Sequence, residues 1–277
     1  MEADPLWQED EENKERFEAV RREAKGVGIW TFSLRRISTQ HSVWHRAMWQ
    51  PQIERLSNAY HCLAPDLPEH GKSTDIGLLT LENTSRVIAN LIREQTPHGR
   101  AHVVGLSLGG SVALGLLRDV PGVIDHMMVS GTAARLGPMI AALSKLGKPL
   151  LRILKPAPLI SLGLRQSKIP QPYLSVLLED VRHLKPEAII HFADALVKME
   201  LPQGVHAPIL VTFGQKEIYM TMANRAAREL SRTLPAKAVL APGVGHVWNL
   251  EAPDLFTDTV RAWMTDQPLP KELVVYG

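Results

Sequence analysis

Polar and apolar positions follow two rhythms along this chain. Short apolar runs bounded by turn residues predict strands: Gly28 to Leu34, Tyr60 to Leu67, Ala101 to Val104, His126 to Gly131, Pro208 to Gly214 and Lys237 to Leu240. Between them, apolar residues recur at spacings of three and four, which predicts helices. One covers Met48 to Leu56, with Pro51 in its first turn. Another follows Thr80, a residue able to cap it, and places Val87, Ile88, Leu91 and Ile92 on one face. Others cover Ser111 to Leu117, Met220 to Leu234, and Pro253 to Met264 with its proline at the start. Strands separated by helices imply a mostly parallel sheet covered on both faces, an α/β fold.

The alternation breaks between Thr132 and His206. Prolines recur there, and leucine and isoleucine stripes such as Val176, Leu177, Val181, Leu184 replace the strand-like runs. The domain reading is therefore a charged N-terminal extension over 1–25, a core over 26–132 and 207–277, and a helical insertion over 133–206. An insertion that leaves the core just after a strand's carboxyl end is placed to roof a pocket.

Composition narrows the function classes. The chain has 277 residues with 45% hydrophobic and 22% charged residues and a formal net charge of +2. That charge is too small to argue for nucleic acid or an anionic membrane, and no apolar stretch reaches membrane-span length. The acidic N-terminus does not read as a signal peptide, so a cytoplasmic protein is expected. A single cysteine, Cys62, cannot form an intramolecular disulfide. His41 and His45 stand four apart without a third ligand, so no metal is expected, and no cofactor either.

The chemistry concentrates at Gly105-Leu106-Ser107-Leu108-Gly109-Gly110, between a predicted strand and a predicted helix. Glycines on both sides of Ser107 let a strand reverse directly into a helix and push the hydroxyl out of the turn. The Leu108 N–H then lies at a helix start, where developing negative charge is favoured. A serine hydroxyl needs a base, and the base needs a group that holds its tautomer. His246 lies in the loop Pro242-Gly243-Val244-Gly245-His246, between the last strand and the last helix. Gly214-Gln215-Lys216-Glu217 follows the preceding strand, although a glutamate in a polar loop is equally well a solvated surface group. The order serine, acid, histidine is the one found in G-x-S-x-G hydrolases.

These residues resemble the α/β-hydrolase family, in its branch of small esterases, lactonases and C–C bond hydrolases with a helical cap. The resemblance spans about residues 48 to 265, and Ala64-Pro65-Asp66-Leu67-Pro68 and His70-Gly71-Lys72-Ser73 also carry it. It implies Ser107 as nucleophile, His246 as general base and acid, Glu217 as orienting carboxylate, and Leu108 N–H as half of an oxyanion hole. The family carries a His-Gly pair ahead of the tryptophan at position 49. Here residues 37–47 contain no glycine, and family spacing puts the second oxyanion donor near Ser42. The expected function is hydrolysis of a small ester, lactone or related acyl substrate through an acyl-enzyme. Two alternatives stay open: a hydrolase-fold protein that binds a small molecule without turnover, and the same triad used for C–C cleavage or perhydrolysis.

Overall fold

The computed structural model describes residues 28–31, 44–65, 67–69, 78–96, 98–132, 157–183, 186–217, 227–232 and 234–276. The expected N-terminal extension, the first part of the helical insertion and Ser42 lie outside these residues. Seven strands are described: β1 (Gly28–Thr31), β2 (His61–Leu63), β3 (Ala101–Leu106), β4 (Ile124–Ser130), β5 (Ile209–Gly214), β6 (Ala236–Ala241) and β7 (Val274–Val275). They form one sheet in the order β2-β1-β3-β4-β5-β6-β7, parallel except for β7.

The chain runs from β1 outward to β2, then crosses back over β1 to reach β3. The strand order therefore reverses between β1 and β3. In open α/β sheets a ligand crevice forms at such a reversal, outside the strands' carboxyl ends. Ser107 follows β3 at that edge.

Strand alternation divides the interior into two cores. Val103, Met127, Ile209 and Val211 face α2 (Leu81–Gln95) and α3 (Leu108–Asp119), where Ile88, Ile92, Leu114 and Leu117 are buried. Val104, Met128 and Leu210 face the opposite way, onto Trp49 of α1 (Trp44–Leu56) and Phe256 of α8 (Pro253–Met264). A sheet buried on both sides needs apolar residues at every strand position, which is why the strands read as continuous apolar runs.

Between β4 and β5 stand α4 (Ala157–Gln166), α5 (Gln171–His183) and α6 (Pro186–Val197). Leu174 and Leu177 of α5 join the second core, while Ala195 and Leu196 of α6 join the first. Residues of this excursion thus join both cores. A hydrogen bond adds to the seating: His191 Nδ1 lies 2.8 Å from Glu69 Oε2. Glu69 holds a left-handed conformation, φ 64°, and the same oxygen accepts Leu79 N–H at 2.9 Å.

Several expectations are met. Thr80 Oγ1 caps α2 by accepting Asn83 N–H at 3.1 Å, and α8 runs from Pro253 to Met264. Others are corrected. Helix α1 begins at Trp44, not Met48, so Pro51 lies in its interior instead of its first turn. A proline there forfeits one helical hydrogen bond, and burial of Trp49, Gln52 and Leu56 against α8 and the sheet holds the helix regardless. The edge strand β7 was not expected from the two-residue apolar run that forms it, and neither was α7, the four-residue helix Trp248–Glu251. Among the described residues no helix is long and apolar enough to cross a membrane.

Candidate active site

Four parallel strands, β3 to β6, end at one rim, and each contributes a turn to it. Ser107 leaves β3 with φ 55° and ψ −116°, a combination L-residues rarely adopt. Glycine at 105 is required by the closeness of that turn. A Cβ there would stand 2.5 Å from Gly109 O and 2.6 Å from Gly110 Cα. Ser107 heads α3, yet its hydroxyl makes no capping hydrogen bond, although serine is a preferred capping residue. Its main-chain oxygen does that work instead, accepting from Gly110 N and Ser111 N. The hydroxyl is left uncommitted to the helix. Leu108, as the first residue of α3, has an amide with no acceptor inside the helix.

Two residues from the next strands meet directly. Glu217 Oε1 lies 2.7 Å from His246 Nδ1, with the glutamate side chain 2% exposed and the imidazole 33% exposed. A carboxylate can only accept, so Nδ1 carries the proton in this contact. The two loops are stitched together by main-chain bonds: Lys216 N donates to Val244 O at 2.8 Å and Gln215 N to Ala241 O at 2.9 Å. Gly214 permits this approach, since a Cβ on it would stand 2.1 Å from Gly245 O. Gly245 N in turn donates to Glu251 Oε2 at 3.0 Å, which fixes the peptide that precedes the histidine.

The turn after β4 joins the two halves. Leu106 pairs with Ser130, so Ser107 and Gly131 are the next residues on adjacent strands. Ser130 O accepts Ser107 N–H at 2.8 Å, and Gly131 N donates to Thr212 O at 3.0 Å. Gly131 has φ 57°, and a Cβ on it would lie 2.8 Å from His246 Nδ1 and Cε1 and 3.1 Å from Glu217 Oε1. Thr132 Oγ1 donates to Ser107 O at 3.1 Å. Ser130 and Thr132 therefore hold the Ser107 main chain, while Gly131 leaves the space that His246 and Glu217 occupy. Sequence reading treated Gly131 only as the end of a buried strand. Its position immediately after an apolar run was the available signal.

Cys62, on β2, is set apart from such chemistry by its environment. Burial pushes its thiol up to about 12, leaving essentially no thiolate at neutral pH. Among the described residues no cluster of three or more histidine, cysteine or carboxylate side chains could hold a metal ion. Ser42, the expected second oxyanion donor, lies outside the described residues.

The Glu217–His246 pair can hold an imidazolium against a buried carboxylate, and the start of α3 presents main-chain amides at the same rim. Known proteins share this frame. Residues 28–259 match the model of the Alpha/beta hydrolase family. An AB hydrolase superfamily protein of Gibberella zeae is 28% identical over 228 residues, covering 76% of this chain and 72% of that protein. The 3-oxoadipate enol-lactonase 2 of Acinetobacter baylyi is 24% identical over 229 residues, 79% of this chain and 84% of that one. Among solved structures, a thermophilic esterase from Thermogutta terrifontis superposes with a TM-score of 0.68 at 20% identity, covering 87% of this chain and 90% of that chain.

Proposed function

The chain belongs to the alpha/beta hydrolase family and is a hydrolase, and from that premise we propose that it cleaves a small ester, lactone or related acyl substrate with Ser107, His246 and Glu217 as its triad. The observation that carries this reading is the Glu217–His246 contact at 2.7 Å, packed on the residue next to Ser130, whose carbonyl holds Ser107. The similarity to an enol-lactonase points the same way.

Ser107 Oγ attacks the substrate carbonyl while His246 Nε2 takes its proton. The tetrahedral oxyanion is met by the Leu108 N–H at the start of α3, where the helix dipole adds favourable charge. His246 then gives the proton to the leaving oxygen, releasing the alcohol (or opening the lactone) and leaving an acyl-serine. Water, deprotonated by the same imidazole, attacks that ester and restores Ser107 with release of the acid. Glu217 holds Nδ1–H throughout and stabilises the imidazolium formed at each step. On this reading the insertion that carries α4 to α6 roofs the pocket, and its apolar residues suit a small, partly apolar acyl group.

A fluorophosphonate probe tests the assignment. Labelling of the native chain and its loss in Ser107→Ala, together with hydrolysis of p-nitrophenyl acetate that falls at least about 10³-fold in Ser107→Ala, is the expected result. Equal labelling of both proteins would overturn it.

A further inference from the structure

We infer that Ser130 is a positioning residue that sets the alignment of Ser107 against His246, an inference that rests on the triad reading above. Ser130 is fully buried and makes two kinds of contact. Its carbonyl accepts the Ser107 N–H at 2.8 Å, and its hydroxyl accepts the Trp248 indole N–H at 2.7 Å. Trp248 is two residues beyond His246 and opens α7. One residue thus ties the turn that carries the nucleophile to the segment that carries the base.

The surroundings make that tie stiff. Trp248 is fully buried, and its ring lies 4.5 Å from that of Phe256 of α8. On its C-terminal side, Asn249 is locked to α1 in both directions. Asn249 Nδ2 donates to Met48 O at 2.7 Å, and Gln52 Nε2 donates to Asn249 O at 2.8 Å. The main chain between Trp248 and Ser107 is therefore held at Ser130, while the histidine loop hangs from Trp248. Thr132 reinforces the same point, its hydroxyl bonding both Ser107 O at 3.1 Å and Ser130 O at 3.2 Å.

Sequence pattern alone gives a serine no reason to occupy this position. Ser130 lies two residues after Met128 on the same strand face, between Leu106 of β3 and Thr212 of β5. A hydroxyl there is satisfied only because the indole N–H arrives from α7. Without it, a buried donor is left unpaired, and the neighbouring main chain has a driving force to move until the donor is met. Any such movement displaces His246, and a shift approaching 1 Å in a reacting group costs on the order of 10²-fold in rate.

The test uses the full chain as Ser130→Ala, Trp248→Phe and the double variant, with p-nitrophenyl acetate hydrolysis and the proton resonance of His246 Nδ1–H as readouts. Ser130→Ala is expected to lower kcat by about 10- to 100-fold with KM within about twofold. The double variant should fall no further than the weaker single variant, because both single changes break the same bond. The Nδ1–H resonance should move in Ser130→Ala while its melting transition stays cooperative. A wild-type kcat in Ser130→Ala, or additive losses in the double variant, would overturn the assignment. Should the native chain neither hydrolyse esters nor take a fluorophosphonate, the triad reading fails by itself. The resonance then decides the positioning role: moved in Ser130→Ala, it stands; unmoved, it falls.

Discussion

Replacing Gly131 by alanine adds one methyl group at the point where the site is most crowded. The added Cβ would stand 2.8 Å from both Nδ1 and Cε1 of His246 and 3.1 Å from Glu217 Oε1. Ordinary carbon contacts lie at about 3.5–4.0 Å, so the imidazole must retreat by roughly 0.7 Å or more. It has room to do so only toward solvent, where 33% of the side chain is exposed, and the retreat stretches the 2.7 Å bond to Glu217. A misplacement of that size lowers kcat by about 10- to 100-fold. The φ of 57° adds a separate cost, since alanine in the left-handed region loses about 1–2 kcal/mol relative to glycine. Steady-state kinetics with p-nitrophenyl acetate and urea unfolding separate the two effects: a large drop in kcat at nearly constant KM, and a lower urea midpoint. A Gly131→Ala protein that lost the expected stability yet kept kcat within about threefold of wild type would refute the reasoning. The contact with His246 would then have no bearing on turnover.

Two further expectations concern stability. Ser107→Gly removes the side chain from a residue at φ 55° and ψ −116°, relieving strain on the order of 1–3 kcal/mol, partly offset by the entropy of glycine. The variant should be inactive and more stable by about 1 kcal/mol in urea unfolding, and a less stable Ser107→Gly would contradict this. The second follows from His102, buried on β3 with its ring 4.9 Å from that of His126. Burial first, then the neighbouring His126, lowers it from 6.5 to about 4, against a smaller opposing pull from Asp125 and Asp266. Between those values the unfolded chain binds the proton and the folded chain does not, so stability falls as pH drops from above 6.5 to about 4. The loss amounts to about 3 kcal/mol. His102→Phe should flatten that part of the stability-versus-pH curve, and an unchanged slope between pH 7 and 4 would be the contrary result.

The fold was legible in the sequence because its signals are local. Continuous apolar runs such as Ile209 to Phe213 mark strands buried on both faces, and the three-and-four spacing within Pro253 to Met264 marks a helix with one apolar stripe. Boundaries failed where tertiary burial overrode a local rule. Pro51 argues for a helix beginning just before it, yet α1 begins at Trp44, because residues flanking the proline are buried against α8 and the sheet. Glu69 is a second case. Nothing in its neighbours predicts a left-handed glutamate, which is held by His191 from α6 and by Leu79 N–H, ten residues away.

Ser107 and His246 stood out by their own neighbourhoods, a glycine-flanked serine and a histidine in a glycine-punctuated loop, whereas Glu217 was singled out by chain order and by the family resemblance. How those residues face one another was not written there. The 2.7 Å Glu217–His246 contact spans 29 positions in the chain, and the Trp248–Ser130 bond spans 118. Hydrophobic periodicity is a property of consecutive residues and survives in one dimension. A shared rim exists only after parallel strands have been placed side by side, and the sheet's order, with β3 beside β1 and β4, is what brings the turns after β3, β4, β5 and β6 to one edge.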